Sequence, residues 1–175
     1  ALCQTNLRHF LFKSRKPSEV LKLLNKELEE RIREDMFITL FLGIIDTHNN
    51  TLTFARAGHE PALLGKSKSS DPILETSKLD GSGMALGMVP QKIFEEVIED
   101  HSVQYEPGDM LVLYTDGITE TENEERKEFG ITRLTECLEN SKECSAMAFN
   151  KKIIKKLNSF SSTDFNVPSN TLSAL

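Results

Sequence analysis

The segment YTDGITET, at residues 114–121, places an acidic side chain where it can do metal chemistry. Asp116 follows the apolar run Met110–Tyr114, which predicts a buried strand, and a glycine comes directly after it. A carboxylate at the mouth of a strand, with little side-chain cover, is a typical ligand for Mg²⁺ or Mn²⁺, and water and substrate complete the octahedron. The other interpretation is an ordinary Asp-Gly turn, as found in many hairpins, and the spacing alone leaves both open.

The segment AGHEP, at residues 57–61, holds the second candidate. A histidine beside a glycine can act as a proton donor or a metal ligand. The plainer interpretation is that Gly58 permits a tight turn and His59 makes a structural hydrogen bond, and this is the one that an isolated histidine favours. The acidic run Glu120–Glu128 is interpreted as a solvated loop.

Composition excludes several classes of protein. The 175 residues include 21 Lys and Arg against 27 Asp and Glu, a formal charge of -6. An acidic chain without a basic cluster argues against nonspecific nucleic-acid binding. No apolar run reaches the roughly 18 residues that span a bilayer. The three cysteines have neither disulfide-framework nor zinc-site spacing. We expect one domain over residues 1–175, cytoplasmic, without membrane contact by this segment.

The order of elements that must position these residues predicts an α+β fold. Apolar residues recur at helical spacing in residues 2–13, between Pro17 and Arg33, and again in 131–157. Between them lie predicted strands at 37–45, 51–56, 94–103 and 110–114, the first of them apolar enough to be covered on both faces. Helices and strands that are segregated along the chain favour antiparallel sheets over a doubly wound nucleotide-binding fold.

Five stretches, in this order, resemble one family. They are MFITLFLGIID, ARAGHEPALL, GSGMALGM, YEPGDMLVLYTDGITET and EFGITRL, between residues 36 and 134. Together they resemble the bacterial PPM-type (type 2C-like) serine/threonine phosphatases, and within these the stage II sporulation protein E family, which includes sigma-factor regulatory phosphatases. The resemblance covers residues 7–157, and PGDMLVLYTDGITE is its most specific part.

The resemblance implies a fold, a chemistry and partners. The fold is a four-layer αββα sandwich of two antiparallel sheets flanked by helices. The chemistry is hydrolysis of phosphoserine or phosphothreonine by a water bound to two Mn²⁺ or Mg²⁺ ions. The implied substrate is a phosphorylated regulatory protein such as a STAS-type anti-anti-sigma factor, and an upstream sensor or dimerisation domain is implied beside residues 2–33. Asp116 is the implied metal ligand, and the implied supporting residues are Gly58, His59, Thr115, Gly117 and Glu120.

The sequence also departs from the family pattern. The chain starts at Ala1, and the family's GDVSGHG-like metal motif is absent, so we expect the domain to be incomplete at its N-terminus. The family's closing Asp-Asp motif is replaced by Val167–Leu172, with Pro168 within it and Asp164 several residues early. We therefore expect the 175 residues by themselves to be inactive or nearly so. The alternative function is a non-catalytic pseudophosphatase module that binds a regulatory partner.

Overall fold

The computed structural model of the chain describes residues 2–29, 31–33, 36–162 and 172–174. The elements, in chain order, are α1 (Leu2–Lys13), α2 (Pro17–Glu29), β1 (Leu40–Asp46), β2 (Thr51–Ala57), β3 (Ala62–Ser67), β4 (Leu74–Leu79), α3 (Gln91–Val97), β5 (His101–Gln104), β6 (Met110–Tyr114), α4 (Asp116–Thr119), α5 (Gly130–Glu139), α6 (Ala146–Ser161) and β7 (Leu172–Ala174). They form two compact units, Ala1–Pro61 with Asp80–Tyr105, and Ala62–Leu79 with Glu106–Leu175.

The first unit is built on a three-stranded antiparallel sheet in the order β1-β2-β5. Helix α2 packs on it because its apolar residues recur every three or four positions and so share one face. That face is buried with residues of the sheet and of α3, and its members are Val20, Leu21, Leu24 and Leu28. The predicted amphipathic helix is confirmed, although it ends at Glu29 rather than near Arg33.

The prediction that the first strand is covered on both faces was wrong. Strand β1 begins at Leu40, later than expected, and lies at the edge of its sheet. Only Leu42 is buried along it, while Ile45 is 46% exposed and Phe37, before the strand, is 56% exposed. An apolar run shows that a segment can be buried but does not show what lies against each face.

The strand predicted at residues 94–103 was also wrong in its first half. That half is helix α3, which starts after Pro90, whose carbonyl accepts hydrogen bonds from the amides of Ile93 and Phe94. The Phe94 side chain is fully buried in the core below α2, and this tertiary contact outweighs the local preference for a strand. The strand β5 is confined to His101–Gln104. Strand β4 lies where the sequence predicted no element.

The second unit is built on a four-stranded sheet in the order β4-β3-β6-β7, with antiparallel neighbours throughout. The predicted helices of residues 131–157 are confirmed as α5 and α6. Their apolar faces form the core of this unit with β6 and β4, and the helical members are Leu134, Leu138, Phe149, Ile153 and Leu157. Ser145 caps α6, since its Oγ accepts the Ala148 amide at 3.2 Å.

Both units have antiparallel sheets with helices packed on them, so the predicted α+β class is confirmed. The expectation of one domain over residues 1–175 stays a prediction. Asp164 and residues 167–171, which bear on the closing motif, lie outside the described residues. Within the described part of the chain, no helix is long and apolar enough to span a membrane.

Candidate functional site

The start of strand β6 is held by a single aspartate. Asp109 accepts hydrogen bonds from the amide of Ser67, at the end of β3, at 2.8 Å and from the amide of Glu106 at 2.9 Å. Gly108 precedes it with φ +97°, a conformation that glycine adopts without strain. Because β6 lies between β3 and β7, it is an inner strand, and most of its side chains are buried. Whatever follows its last residue is therefore placed by a rigid element.

The chain leaves β6 through a short exposed turn between two buried anchors. Tyr114 and Ile118 are 3% and 1% exposed, and both belong to the core of the second unit. Thr115, Asp116 and Gly117 lie between them and are exposed. The two buried side chains hold the backbone on either side of the turn, and the Asp116 carboxylate between them remains accessible.

The hydrogen bonds of this turn are local. Asp116 Oδ1 accepts the Gly117 amide at 2.8 Å, and the Asp116 carbonyl accepts the Glu120 amide at 2.7 Å. Thr121 Oγ1 donates to the Gly117 carbonyl at 2.8 Å. The Asp-Gly pair is not in a hairpin, because these residues form the one-turn helix α4 after an extended Thr115. Glu120 ends that helix, and its side chain is exposed.

The space above Gly117 is open. A Cβ built on this residue would meet only Thr115 Oγ1, at 3.7 Å, among the atoms of the described residues. The expectation of little side-chain cover beside Asp116 is therefore met. A carboxylate in such a place has lone pairs available for water, a proton or a cation.

Gly58 and His59 lie in the first unit, in a loop that is closely packed. Gly58 has φ +66°, and a Cβ there would lie 2.8 Å from the Ala85 amide nitrogen. His59 is half-buried, and its Nδ1 lies 3.0 Å from the carbonyl oxygen of the next residue. These contacts fit the plainer interpretation of the motif, a tight turn with a local histidine hydrogen bond.

Sequence reasoning missed the residue that organises this loop, Arg56. Its Nη1 donates to the His59 carbonyl at 2.5 Å, and its Nη2 donates to the Gly81 carbonyl at 2.8 Å and to Asp80 Oδ1 at 2.9 Å. One planar guanidinium therefore ties the AGHEP loop to the start of the glycine-rich loop, residues 81–87. The available signal was a cation between Ala55 and Ala57 on a strand that was predicted to be half covered.

The acidic run after α4 is solvated, as predicted, and it is also ordered by its own contacts. Asn123 Oδ1 accepts the amides of Glu125 and Lys127 at 3.0 and 2.9 Å. The run closes where the Phe129 amide donates to the Thr121 carbonyl at 2.8 Å. Its carboxylates face solvent, so they are accessible but not gathered into one site.

Asp116 fits one ligand of a hard cation, since it is an exposed carboxylate on a rigid support. The residues around it do not complete a metal site. In the ranges that the structure describes, no group of three or more His, Cys, Asp or Glu side chains is arranged to hold a metal ion. The two-metal centre that the resemblance implies is therefore not formed by these residues alone.

The fold is that of PP2C-type phosphatase domains. The SiaA-PP2C domain of Pseudomonas aeruginosa superposes with a TM-score of 0.77 over 99% of this chain and 67% of that one, at 17% identity. The manganese-presoaked phosphatase domain of SpoIIE from Bacillus subtilis gives a TM-score of 0.61 over 97% of this chain and 69% of that one, at 19% identity. At such identities the likeness concerns the fold alone, and it confirms the predicted phosphatase-type fold.

The family model for stage II sporulation protein E (SpoIIE) matches residues 1–166, so the chain belongs to that family. The resemblance stated from the five motifs is confirmed. Phosphoserine phosphatase RsbU of Bacillus subtilis is 34% identical over 108 residues, which are 62% of this chain and 30% of RsbU. The chain spans between 11% and 30% of the length of the curated relatives that it matches.

Proposed function

We propose that this chain is part of a metal-dependent protein serine/threonine phosphatase, in which Asp116 is one of the ligands of a Mn²⁺ or Mg²⁺ site. The observation that carries the proposal is the position of Asp116, an exposed carboxylate between two buried anchors at the end of an inner strand. Family membership and the relative named as a phosphoserine phosphatase support it. So does the manganese-presoaked SpoIIE domain, which has the same fold.

The other site residues receive narrower roles in this proposal. Thr115 and Gly117 keep the approach to the carboxylate open, and Glu120 continues the acidic surface beside it. Gly58 and His59 shape their own loop and take no part in proton transfer. The remaining metal ligands come from outside the described residues, so no catalytic step is assigned to this chain by itself. Bound metal supplies the attraction for phosphate that an acidic chain lacks.

The proposed substrate is a phosphorylated regulatory protein of the cytoplasm, with a STAS-type anti-anti-sigma factor as the leading example. The proposed input is a sensor or dimerisation domain in the same protein. Both are what the resemblance to sigma-factor regulatory phosphatases implies, and membership of the SpoIIE family supports them.

The proposal is tested in the complete protein that contains this chain. Phosphate release from a phosphoserine-containing protein is measured with Mn²⁺, with Mg²⁺ and in excess chelator. We expect release only with metal, and a loss of at least about a hundredfold in Asp116→Asn, because a metal ligand matters at least as much as its supporting residues. Asp71→Asn is the matched control, an exposed aspartate of the same unit. Its activity should be unchanged.

A stability measurement distinguishes the loss of a metal ligand from a loss of folding. The unfolding free energy of Asp116→Asn should lie within about 0.5 kcal/mol of the parent value, since among the described residues the carboxylate makes only a local hydrogen bond. Undiminished activity in Asp116→Asn, or full activity in chelator, would overturn the proposal.

A second candidate is a non-catalytic module that binds a regulatory partner. The observation that favours it is the tail at Val167–Leu172, which has no carboxylate in place of the family's closing motif. The same experiment separates the two candidates. A complete protein that binds its phosphorylated partner but releases no phosphate with either metal is such a module.

A further inference from the structure

A groove of about 810 Å³ lies between α5 and α6 in the second unit, and most of the charged residues along it are basic. These are Arg133, Lys151, Lys152, Lys155 and Lys156. Among the described residues that line it, Glu136 is the one carboxylate, which leaves an excess of four positive charges. The α5–α6 groove is therefore positively charged, whereas the chain as a whole has a formal charge of -6.

Two of these cations are committed to the structure of the groove itself. Lys152 Nζ donates to the Asn140 carbonyl at 2.7 Å and to Ser141 Oγ at 2.8 Å, which holds the C-terminal end of α5 against α6. The Arg133 guanidinium donates to the Phe129 carbonyl at 2.7 Å and lies 4.9 Å from the centre of the Phe160 ring. The walls of the groove are therefore fixed by side chains with defined positions.

The other three cations are available. Lys151, Lys155 and Lys156 are exposed, and within the described part of the chain none of them pairs with a carboxylate. Lys151 and Lys155 lie one helical turn apart on the same face of α6. Like charges at this spacing destabilise a helix, and a bound anion removes that repulsion.

The floor of the groove is apolar. Phe160 is half-buried and meets Phe129 edge to face, with ring centroids 5.5 Å apart and an interplanar angle of 81°. The methylene stems of the lysines extend this surface beneath their charged ends. A ligand with negative charge for the rim and an apolar group for the floor therefore uses both features of the groove, whereas a simple inorganic anion uses only the first.

We propose that the α5–α6 groove is a docking site for a short acidic segment of a partner protein, with carboxylates one helical turn apart and an apolar side chain between them. The proposal does not depend on the proposed phosphatase activity, because no residue of the Asp116 turn lines the groove. A docking site of this kind binds its partner whether or not the partner is hydrolysed.

The surroundings of the groove favour a short protein segment over a nucleic acid. Arg133 Nη1 donates to the Glu128 carbonyl at 3.1 Å, so the acidic run Glu120–Glu128 adjoins this end of the groove. An extended polyanion that continued past Arg133 would meet those carboxylates and be repelled. A segment that ends within the groove meets its five cations and the single carboxylate of Glu136, so the net attraction remains.

The proposal is tested by fluorescence anisotropy with the full chain and a labelled synthetic peptide of about twelve residues, built from glutamate, leucine and alanine with glutamates one turn apart. In Lys151→Glu/Lys155→Glu we expect at least about tenfold weaker binding of this peptide. Lys78→Glu/Lys92→Glu is the matched control, with the same change in net charge at exposed lysines elsewhere. Its binding should change less than about twofold.

Neutral variants, a stability measurement and a neutral peptide serve as further controls. The neutral variant Lys151→Gln/Lys155→Gln should give an intermediate loss, and equal unfolding temperatures of all variants show that the fold is retained. The same peptide with glutamine in place of glutamate should not bind. Absence of binding by the acidic peptide, or an equal loss in both charge-reversal variants, would overturn the proposal. So would tighter binding of an oligothymidylate, or self-association of the chain that Lys151→Glu/Lys155→Glu abolishes.

Discussion

The two family motifs that hold the candidate residues are built in opposite ways. In the first unit, the AGHEP loop packs against the glycine-rich loop, and a Cβ on Gly58 would lie 2.8 Å from Ala85. In the second unit, the turn after β6 is open, and a Cβ on Gly117 would meet nothing closer than 3.7 Å. In the first region, Arg56 donates to the His59 and Gly81 carbonyls, whereas the Asp116 carboxylate, among the described residues, accepts only the Gly117 amide.

Two motifs can therefore be equally characteristic of a family and still differ in how their residues are packed and exposed. A glycine can be required because backbone and neighbours leave no room for a side chain, as at Gly58. A glycine can also occupy a position where any small residue would fit, as at Gly117. Its effect there is to leave the neighbouring Asp116 carboxylate accessible. The first region is held by close packing, and the second presents an exposed carboxylate, the group that we propose to bind metal.

The largest expected effect compares the two glycines directly. Gly58→Ala should lower the free energy of unfolding by about 3 kcal/mol, because the new methyl group meets Ala85 in a left-handed backbone conformation. Gly117→Ala should change it by less than about 0.5 kcal/mol, because its surroundings are open. Urea unfolding of both variants measures the difference. Equal losses would show that the two regions do not differ in packing.

A smaller effect is expected at the guanidinium that ties the first region together. Arg56→Lys should cost about 2 kcal/mol of unfolding free energy, because an ammonium group cannot reach the His59 and Gly81 carbonyls and Asp80 together. Asp80→Asn should cost less than about 1 kcal/mol, since that carboxylate is 70% exposed. Thermal unfolding measures both. If Arg56→Lys matches the parent, the loop is held by something other than this side chain.

The smallest effect concerns a second exposed aspartate, in the β1–β2 turn of the first unit. Asp46 accepts hydrogen bonds from Asn49 Nδ2 at 2.8 Å, from the Asn49 amide at 3.1 Å and from the His48 amide at 2.9 Å. These bonds, the Asn49 side chain first, hold the pKa of Asp46 below its ordinary value. A lowered pKa in the folded state gives stability that is present above the ordinary aspartate pKa and is lost as the pH falls through the lowered one.

Asp46→Asn should therefore lower stability slightly at neutral pH, and the difference from the parent should vanish in acid. Carboxyl NMR titration checks the cause, because Asn49→Ala should return the Asp46 pKa toward its ordinary range. A pKa for Asp46 at or above that range in the parent chain would show that the turn does not use its carboxylate in this way. The contrast with the open Asp116 turn would then be weaker.

Much of the fold followed from periodicity. Helices α2, α5 and α6 and strands β2 and β6 were predicted because each buries one face or both, so the spacing of apolar residues records their geometry. The errors fell where burial depends on a distant partner. Helix α3 buries one large side chain below α2, and strand β1 lies at the edge of its sheet. The local spacing of apolar residues indicates neither of these positions.

The sequence by itself determined the family, the α+β class and the place of Asp116, since five motifs in order and a strand followed by Asp-Gly are local signals. Only the tertiary structure decided which glycine has no room for a side chain and which has room, because that depends on residues far apart in the chain that pack together. The same reason applies to Arg56 and to the α5–α6 groove. Their roles come from carbonyls and rings brought together by folding, and no spacing along the chain reveals such neighbours.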